Sequence, residues 1–200
     1  MGENCKTDIQ IKDLAKEFFF AKGHLQSSVQ ELADFAGVNR TLINYYFRSK
    51  ENLFQIIYWE MIYEMRQSLS TIYACELNFE KKVDAIIDYL IEQKESYPFL
   101  EIFNVQESFK ITSKIETIIR PEALPEFKTF LKEIKAEMKK GKLKKTEPKL
   151  FMIHLFALIS YPIIMNPVLQ KILEISEDEN KQIRKERKKA IKELLFTSKN

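Results

Sequence analysis

Apolar side chains along this chain recur mostly at three- and four-residue steps, which is the signature of amphipathic helices packed against one another. Over residues 7–22 the repeat is Ile11, Leu14, Ala15, Phe18 and Phe19, and Gly23 ends it. Leu32, Ala33 and Phe35 mark a short second helix. Ser27 or Ser28 can cap it, with Glu31 in capping-box position after Ser28. Gly37 supplies a turn, Asn39 an N-cap, and a third short helix covers 40–46. Ser49 caps a long fourth helix over 50–73, with Leu53, Ile57, Met61 and Met65 on one face.

The remainder reads as five or six further helices, over 79–96, 99–109, 126–140, 148–161 and 177–196, with 111–119 as the short sixth candidate. Pro98 and Pro148 suit first turns, Gly141 a stop, and Pro162 and Pro167 a break before a short piece ending near residue 175. The pattern therefore predicts an all-α fold of about nine helices. A three-helix domain with a helix-turn-helix spans 1–50, and a larger helical domain spans 51–200.

Composition sharpens this only at a few points. The chain has 200 residues, 45% of them hydrophobic, with four Gly and six Pro. It can bury a core, and it is poor in the residues that interrupt helices. Its formal charge of +3, from 32 basic and 29 acidic side chains, does not by itself point to nucleic acid. Cys5 and Cys75 form no metal or redox spacing, which fits reduced thiols and a cytoplasmic location. No leader-like run follows Met1. The apolar stretch 150–168 reads as an interface helix interrupted by Pro162 and Pro167, not as a membrane span.

The chemistry sits between Val29 and Phe54. Two short helices joined by a Gly turn, followed by the start of a third, have the layout that sets a recognition helix in the DNA major groove. Arg40, Thr41, Asn44 and Tyr45 are the candidate readers of base edges, since Arg and Asn can make bidentate contacts to guanine and adenine. Ile43 and Phe47 should face the core. Tyr46 and Lys50 suit phosphate, Asn39 stands at the helix start, and Ser28 and Thr7 can add backbone contacts. Against this stands the charge balance. Lys6, Lys12, Lys16, Lys22, Arg40, Arg48 and Lys50 are offset by Glu3, Asp8, Asp13, Glu17, Glu31, Asp34 and Glu51. A helical protein-interaction module without specific DNA binding is therefore the alternative.

These residues resemble the N-terminal domain of the tetracycline-repressor (TetR) family of bacterial transcriptional regulators. The resemblance runs through Gly23, then Leu32-Ala33-Asp34-Phe35-Ala36-Gly37-Val38, then Tyr45-Tyr46-Phe47-Arg48-Ser49-Lys50-Glu51-Asn52-Leu53. It departs where the family often has Gly-Thr-Leu-Tyr and this chain has Thr41-Leu42-Ile43-Asn44, so no operator sequence carries over. The resemblance implies a homodimeric regulator, most often a repressor, on a palindromic operator. Its reading heads would lie about 34 to 36 Å apart or a multiple of that. A small hydrophobic or amphipathic effector held in the larger domain would release it.

For that effector the candidate lining is Trp59, Tyr63, Tyr89, Phe99, Phe103, Gln106, Phe109, Phe127 and His154. For the dimer interface it is Phe151, Leu155, Leu158 and Ile159 on the eighth helix, with Ile183, Ile191, Leu194 and Leu195 on the last. Two basic runs, around Gly141 and along 181–199, read as a solvated turn and a solvated helix face. With His24 and His154 as its two histidines, no nucleophile elbow and no phosphate loop, the chain offers no catalytic residues, metal ligands or cofactor site. No membrane partner is expected.

Overall fold

The computed structural model describes the backbone of residues 2–108 and 125–197, with side chains over 7–106 and 125–197. The expected helix over 111–119 and the candidate Phe109 lie outside the described side chains. The chain is all-α, with ten α-helices among the described residues against about nine expected. They are α1 Gly2–Lys16, α2 Val29–Ala36, α3 Arg40–Phe47, α4 Lys50–Ala74, α5 Phe79–Ser96, α6 Pro98–Ser108, α7 Pro125–Lys139, α8 Pro148–Ile164, α9 Asn166–Ile172 and α10 Glu177–Leu195. The helices pack as two compact units: Met1–Arg66 with Ser96–Phe109, and Gln67–Glu95 with Lys110–Asn200. The packing thus divides α4 beyond residue 50 and adds α6 to the first unit.

In the first unit α1 runs into a π turn, Glu17–Ala21, closed by Lys22 N–H donating to the Glu17 carbonyl at 3.0 Å. The wider π turn brings three successive residues closer to one side than an α-helix does. Phe18, Phe19 and Phe20 are all buried, where the helical period selected only the first two. Phe20 joins Phe54, Tyr58 and Phe103 in an aromatic cluster with centroids 4.7–6.4 Å apart. Leu32, Ala33, Ile43, Phe47, Leu53 and Ile57 complete the core beneath α2 and α3.

In the second unit α5, α7, α8 and α10 share a core. It is built from Val83, Ile86 and Ile87, from Phe130 and Ile134, from Phe151, Leu155 and Ile159, and from Ile191 and Leu195. The buried Lys82 ammonium donates to the Tyr73 carbonyl at 3.0 Å and to Glu133 at 2.9 Å, so its charge is compensated. Burial pushes the Tyr73 phenol up to about 12. On the surface, Lys192 meets Glu80 and Asp84 at 3.0 and 2.9 Å, and Lys188 meets Asp88 at 2.6 Å. This ladder ties α10 to α5.

Pro162 does not end α8, contrary to the sequence reading; the helix continues to Ile164, and α9 leaves it at 75°. Pro162 has no N–H to give to the Leu158 carbonyl, so the helix loses one backbone bond near its end. The buried Arg187 guanidinium donates to the adjoining Ile159 carbonyl. No single described helix is long and apolar enough to cross a membrane; α8 and α9 pass on length and composition only as the bent pair.

Candidate nucleic-acid interface

The helix-turn-helix is built by its caps. Ser28 and Glu31 form a full capping box at the start of α2: the Glu31 N–H donates to Ser28 Oγ at 3.2 Å, and the Ser28 N–H donates to Glu31 Oε2 at 2.7 Å. The Ser28 N–H and hydroxyl, both donating to it, hold the Glu31 carboxyl below the usual carboxylate range. Gly37 ends α2 in the left-handed region, with φ 64°, and its N–H closes on the Ala33 and Asp34 carbonyls. Asn39 then caps α3, its side chain accepting from the Thr41 N–H at 2.8 Å.

With its start fixed in this way, α3 turns Ile43 and Phe47 into the core, as their spacing required. The opposite stripe is open. Arg40, Thr41, Asn44 and Tyr45 are all exposed, Tyr45 to 71%. A tyrosine ring left that open has given up most of its available burial, so the outward stripe is not a packing surface of the first unit. Tyr46 is half-buried beside Tyr45 and Phe47, with centroids at 5.1 and 6.1 Å. Lys50 behaves differently from the open residues: its ammonium donates to the Ser27 carbonyl and lies 3.6 Å from Glu51, so it braces the loop before α2 against the start of α4.

One residue of this region was not singled out as a contact by its sequence. Arg48, the C-cap of α3, has φ 66° and ψ −41°. The Ser49 N–H donates to the Phe47 carbonyl at 2.8 Å across it, closing a three-residue γ-turn of the strained, positive-φ type. Such a conformation costs a residue with a Cβ on the order of 1–3 kcal/mol. Its only sequence signal was a break in helical period between Phe47 and Leu53.

The candidate effector residues divide between the two units. In the first, Phe103 belongs to the aromatic cluster and the Phe99 ring seals Gly23. Trp59 is half-buried, donating from Nε1 to Gln55 at 3.1 Å, while Tyr63 and Gln106 are exposed. In the second, Phe127 packs on Tyr73 at 5.5 Å, Tyr89 is half-buried and His154 is exposed. An open cleft of about 390 Å³ on α10 is lined by Lys185, Lys188, Lys189, Lys192 and Glu193, none of them a candidate.

The expected dimer face needs correction. Phe151, Leu155, Ile159, Ile191 and Leu195 are at most 5% exposed and form the core of their own unit. Ile183 and Leu194 are exposed, at 48% and 53%, and Leu158 is half-buried. α8 is apolar nearly all round, so periodicity alone could not say which side faces inward. Its outward side carries Leu150, Ile153, Phe156 and Tyr161.

Residues 11–57 match the family model for bacterial regulatory proteins of the tetR family. No curated protein matches the chain. Among solved structures the fold is similar to HlyIIR, a hemolysin II transcriptional regulator, at 21% identity over 98% of this chain and 100% of that one, with a TM-score of 0.56. It is similar to a TetR family transcription regulator from Marinobacter aquaeolei VT8, at 14% identity over 99% and 100% and a TM-score of 0.57. It is also similar to the TetR-family regulator HI0893 of Haemophilus influenzae RD, at 16% identity over 98% and 100% and a TM-score of 0.54. At such identities the likeness speaks for the fold. Residues 11–57 are thus a helix-turn-helix segment of the tetR regulatory-protein type, carried on a fold similar to that of TetR-family regulators.

Proposed function

We propose that the protein is a homodimeric, ligand-responsive repressor that binds a palindromic operator. The observation that carries this is the open stripe Arg40, Thr41, Asn44 and Tyr45 on a short helix whose other side is locked into the core. Those side chains hold the donors and the ring face that base edges and phosphates accept, at the N-terminal end of a helix that fits the major groove. Ser28 and Asn39 fix the two helix starts, and Tyr46 supports Tyr45. A second copy supplies the second reading head. Its contact surface is the outward side of α8, Leu150, Ile153, Phe156 and Tyr161, with Ile183 and Leu194 of α10. Patches of this kind on a soluble chain mark association surfaces. A small hydrophobic effector bound in the helical domain would favour a state with a different head spacing and release the operator by differential affinity.

The test is a fluorescence titration of the purified protein against the duplex upstream of its own gene and against random duplex, over a series of salt concentrations. Sequence-specific, salt-dependent binding that is lost in an Asn44→Ala, Tyr45→Ala pair supports the reading. Binding to the upstream duplex no tighter than to random duplex would sink it.

A further inference from the structure

We infer that each copy of the chain lays its α10 against the partner's α8, and that Glu186 and Glu193 select this arrangement over the pairing of α10 with its own copy. This rests on the homodimer reading above and says which helix meets which. The exposed apolar positions of α10 are Ile183, Ala190 and Leu194. With Arg187 they stand at steps of four, three and four residues, so they share one stripe along the helix. Contacts fix which side of α10 that is. Arg187 reaches the Ile159 carbonyl of α8, whereas Lys188 and Lys192 pair with Asp84, Asp88 and Glu80 of α5 on the other flank. The stripe is thus on the α8 side of α10, away from α5.

Glu179, Glu186 and Glu193 follow one another at heptad steps, all exposed, along the solvent edge of that stripe; Glu186 comes three residues after Ile183 and four before Ala190. Glu179 is engaged in the cap of α10 with Ser176. Glu186 accepts from Gln182 at 2.5 Å and Glu193 lies 3.8 Å from Lys189, both neighbours on the same helix. A twofold axis that sets two copies of α10 antiparallel on this stripe brings each flank against its own copy, glutamate to glutamate. Like charges facing across a contact oppose it. The outward stripe of α8 is the complement. It carries Leu150, Ile153, Ala157 and Tyr161, all exposed. The chain has no Asp or Glu between Glu147 and Glu174. The basic side chains of α8 are Lys149, four residues before Ile153, and His154, three before Ala157, and both are exposed. When α10 of one copy packs on α8 of the other, an apolar stripe with an acidic margin meets an apolar stripe with a basic one. In an isologous dimer the same contact forms twice, since each copy supplies both helices.

Fluorescence-detected sedimentation of the full chain measures the dimer dissociation constant across a salt series. Wild type is compared with Glu186→Gln plus Glu193→Gln, with Lys149→Glu, and with Lys149→Glu combined with Glu186→Lys and Glu193→Lys. Circular dichroism checks the helix content of each; all three sites are exposed, so the fold is expected to hold. The paired glutamine variant should dissociate about three- to tenfold more readily than wild type at low salt, and its dissociation constant should depend less on salt. Lys149→Glu should weaken the dimer too, and the charge-swapped chain should recover part of the loss. A glutamine variant whose dimer is as tight as wild type or tighter overturns the inference, because relief of facing glutamates is what α10-on-α10 pairing gives. A swapped chain weaker than Lys149→Glu alone overturns it as well. Wild type that sediments as a monomer at micromolar concentration overturns the homodimer reading itself, which separates the two failures.

Discussion

The ring of Phe99 closes on Gly23 so tightly that a Cβ on the glycine would stand 2.6 Å from Cε1 and Cζ. Gly23 has φ 80°, so it is needed twice, once for the backbone turn after the π segment and once for the room it leaves. Gly23→Ala should therefore cost about 2–4 kcal/mol, adding left-handed strain to overpacking. Urea denaturation followed by circular dichroism measures it. In a cycle with Phe99→Ala the overpacking part should vanish and the strain remain, so the two changes should not add. Strict additivity would show that the ring does not press on the turn.

Tyr73 predicts an alkaline weak point. Its phenol is pushed up to about 12 by burial, from an unfolded value near 10.0. Between those values the unfolded chain releases a proton that the folded chain keeps. Its contribution is thus complete below about pH 10 and is lost as pH rises through 12, by roughly 3 kcal/mol in all. Denaturation curves taken across that window should show the decline, and Tyr73→Phe should flatten it. A decline of equal size in the phenylalanine variant would assign the effect to other groups.

Much of this was legible in the sequence wherever one local rule had no rival. Ser28 with Glu31, Gly37 and Asn39 each specify a cap or a turn by their own chemistry, and they bound the reading helix correctly. Ile43 and Phe47, one turn apart, point inward as expected. Legibility failed where a local pattern has two solutions. Phe18-Phe19-Phe20 fits an α-helix with one ring exposed or a π turn with none, and only the packing against Phe54 and Phe103 chooses between them. α8 is apolar on both sides, so Phe151 and Ile153 look equally suited to a core or to a partner. Lys50 reads as an exposed cation because nothing in a sequence shows that the Ser27 carbonyl lies within its reach.

The two sides of α8 should respond oppositely to substitution. Ile153 is 60% exposed and Leu155 fully buried. Ile153→Glu places a charge on the proposed contact between copies. It should leave the helix content and the unfolding midpoint of the isolated chain near wild type while driving the protein to monomer in sedimentation at micromolar concentration. Leu155→Ala should instead cost about 2–5 kcal/mol of stability through the cavity it leaves. An Ile153→Glu protein that sediments like wild type would remove this face from the interface.

Asn39 offers a way to separate the reading helix as structure from the reading helix as contact. Its side-chain oxygen accepts from the Thr41 N–H, a role that aspartate fills as well and alanine not at all. Asn39→Ala should thus lower stability by about 1 kcal/mol and weaken duplex binding, because the start of α3 frays under Arg40 and Thr41. Asn39→Asp should keep the unfolding midpoint, since the cap survives and an anion suits a helix start. It should still bind duplex more weakly than wild type, because the same anion faces the phosphates that Arg40 is proposed to approach. Thermal melts and anisotropy titrations on the two variants give both numbers. If the aspartate variant binds as tightly as wild type at low salt, the start of α3 does not meet DNA, and the exposed stripe beginning at Arg40 serves some other surface.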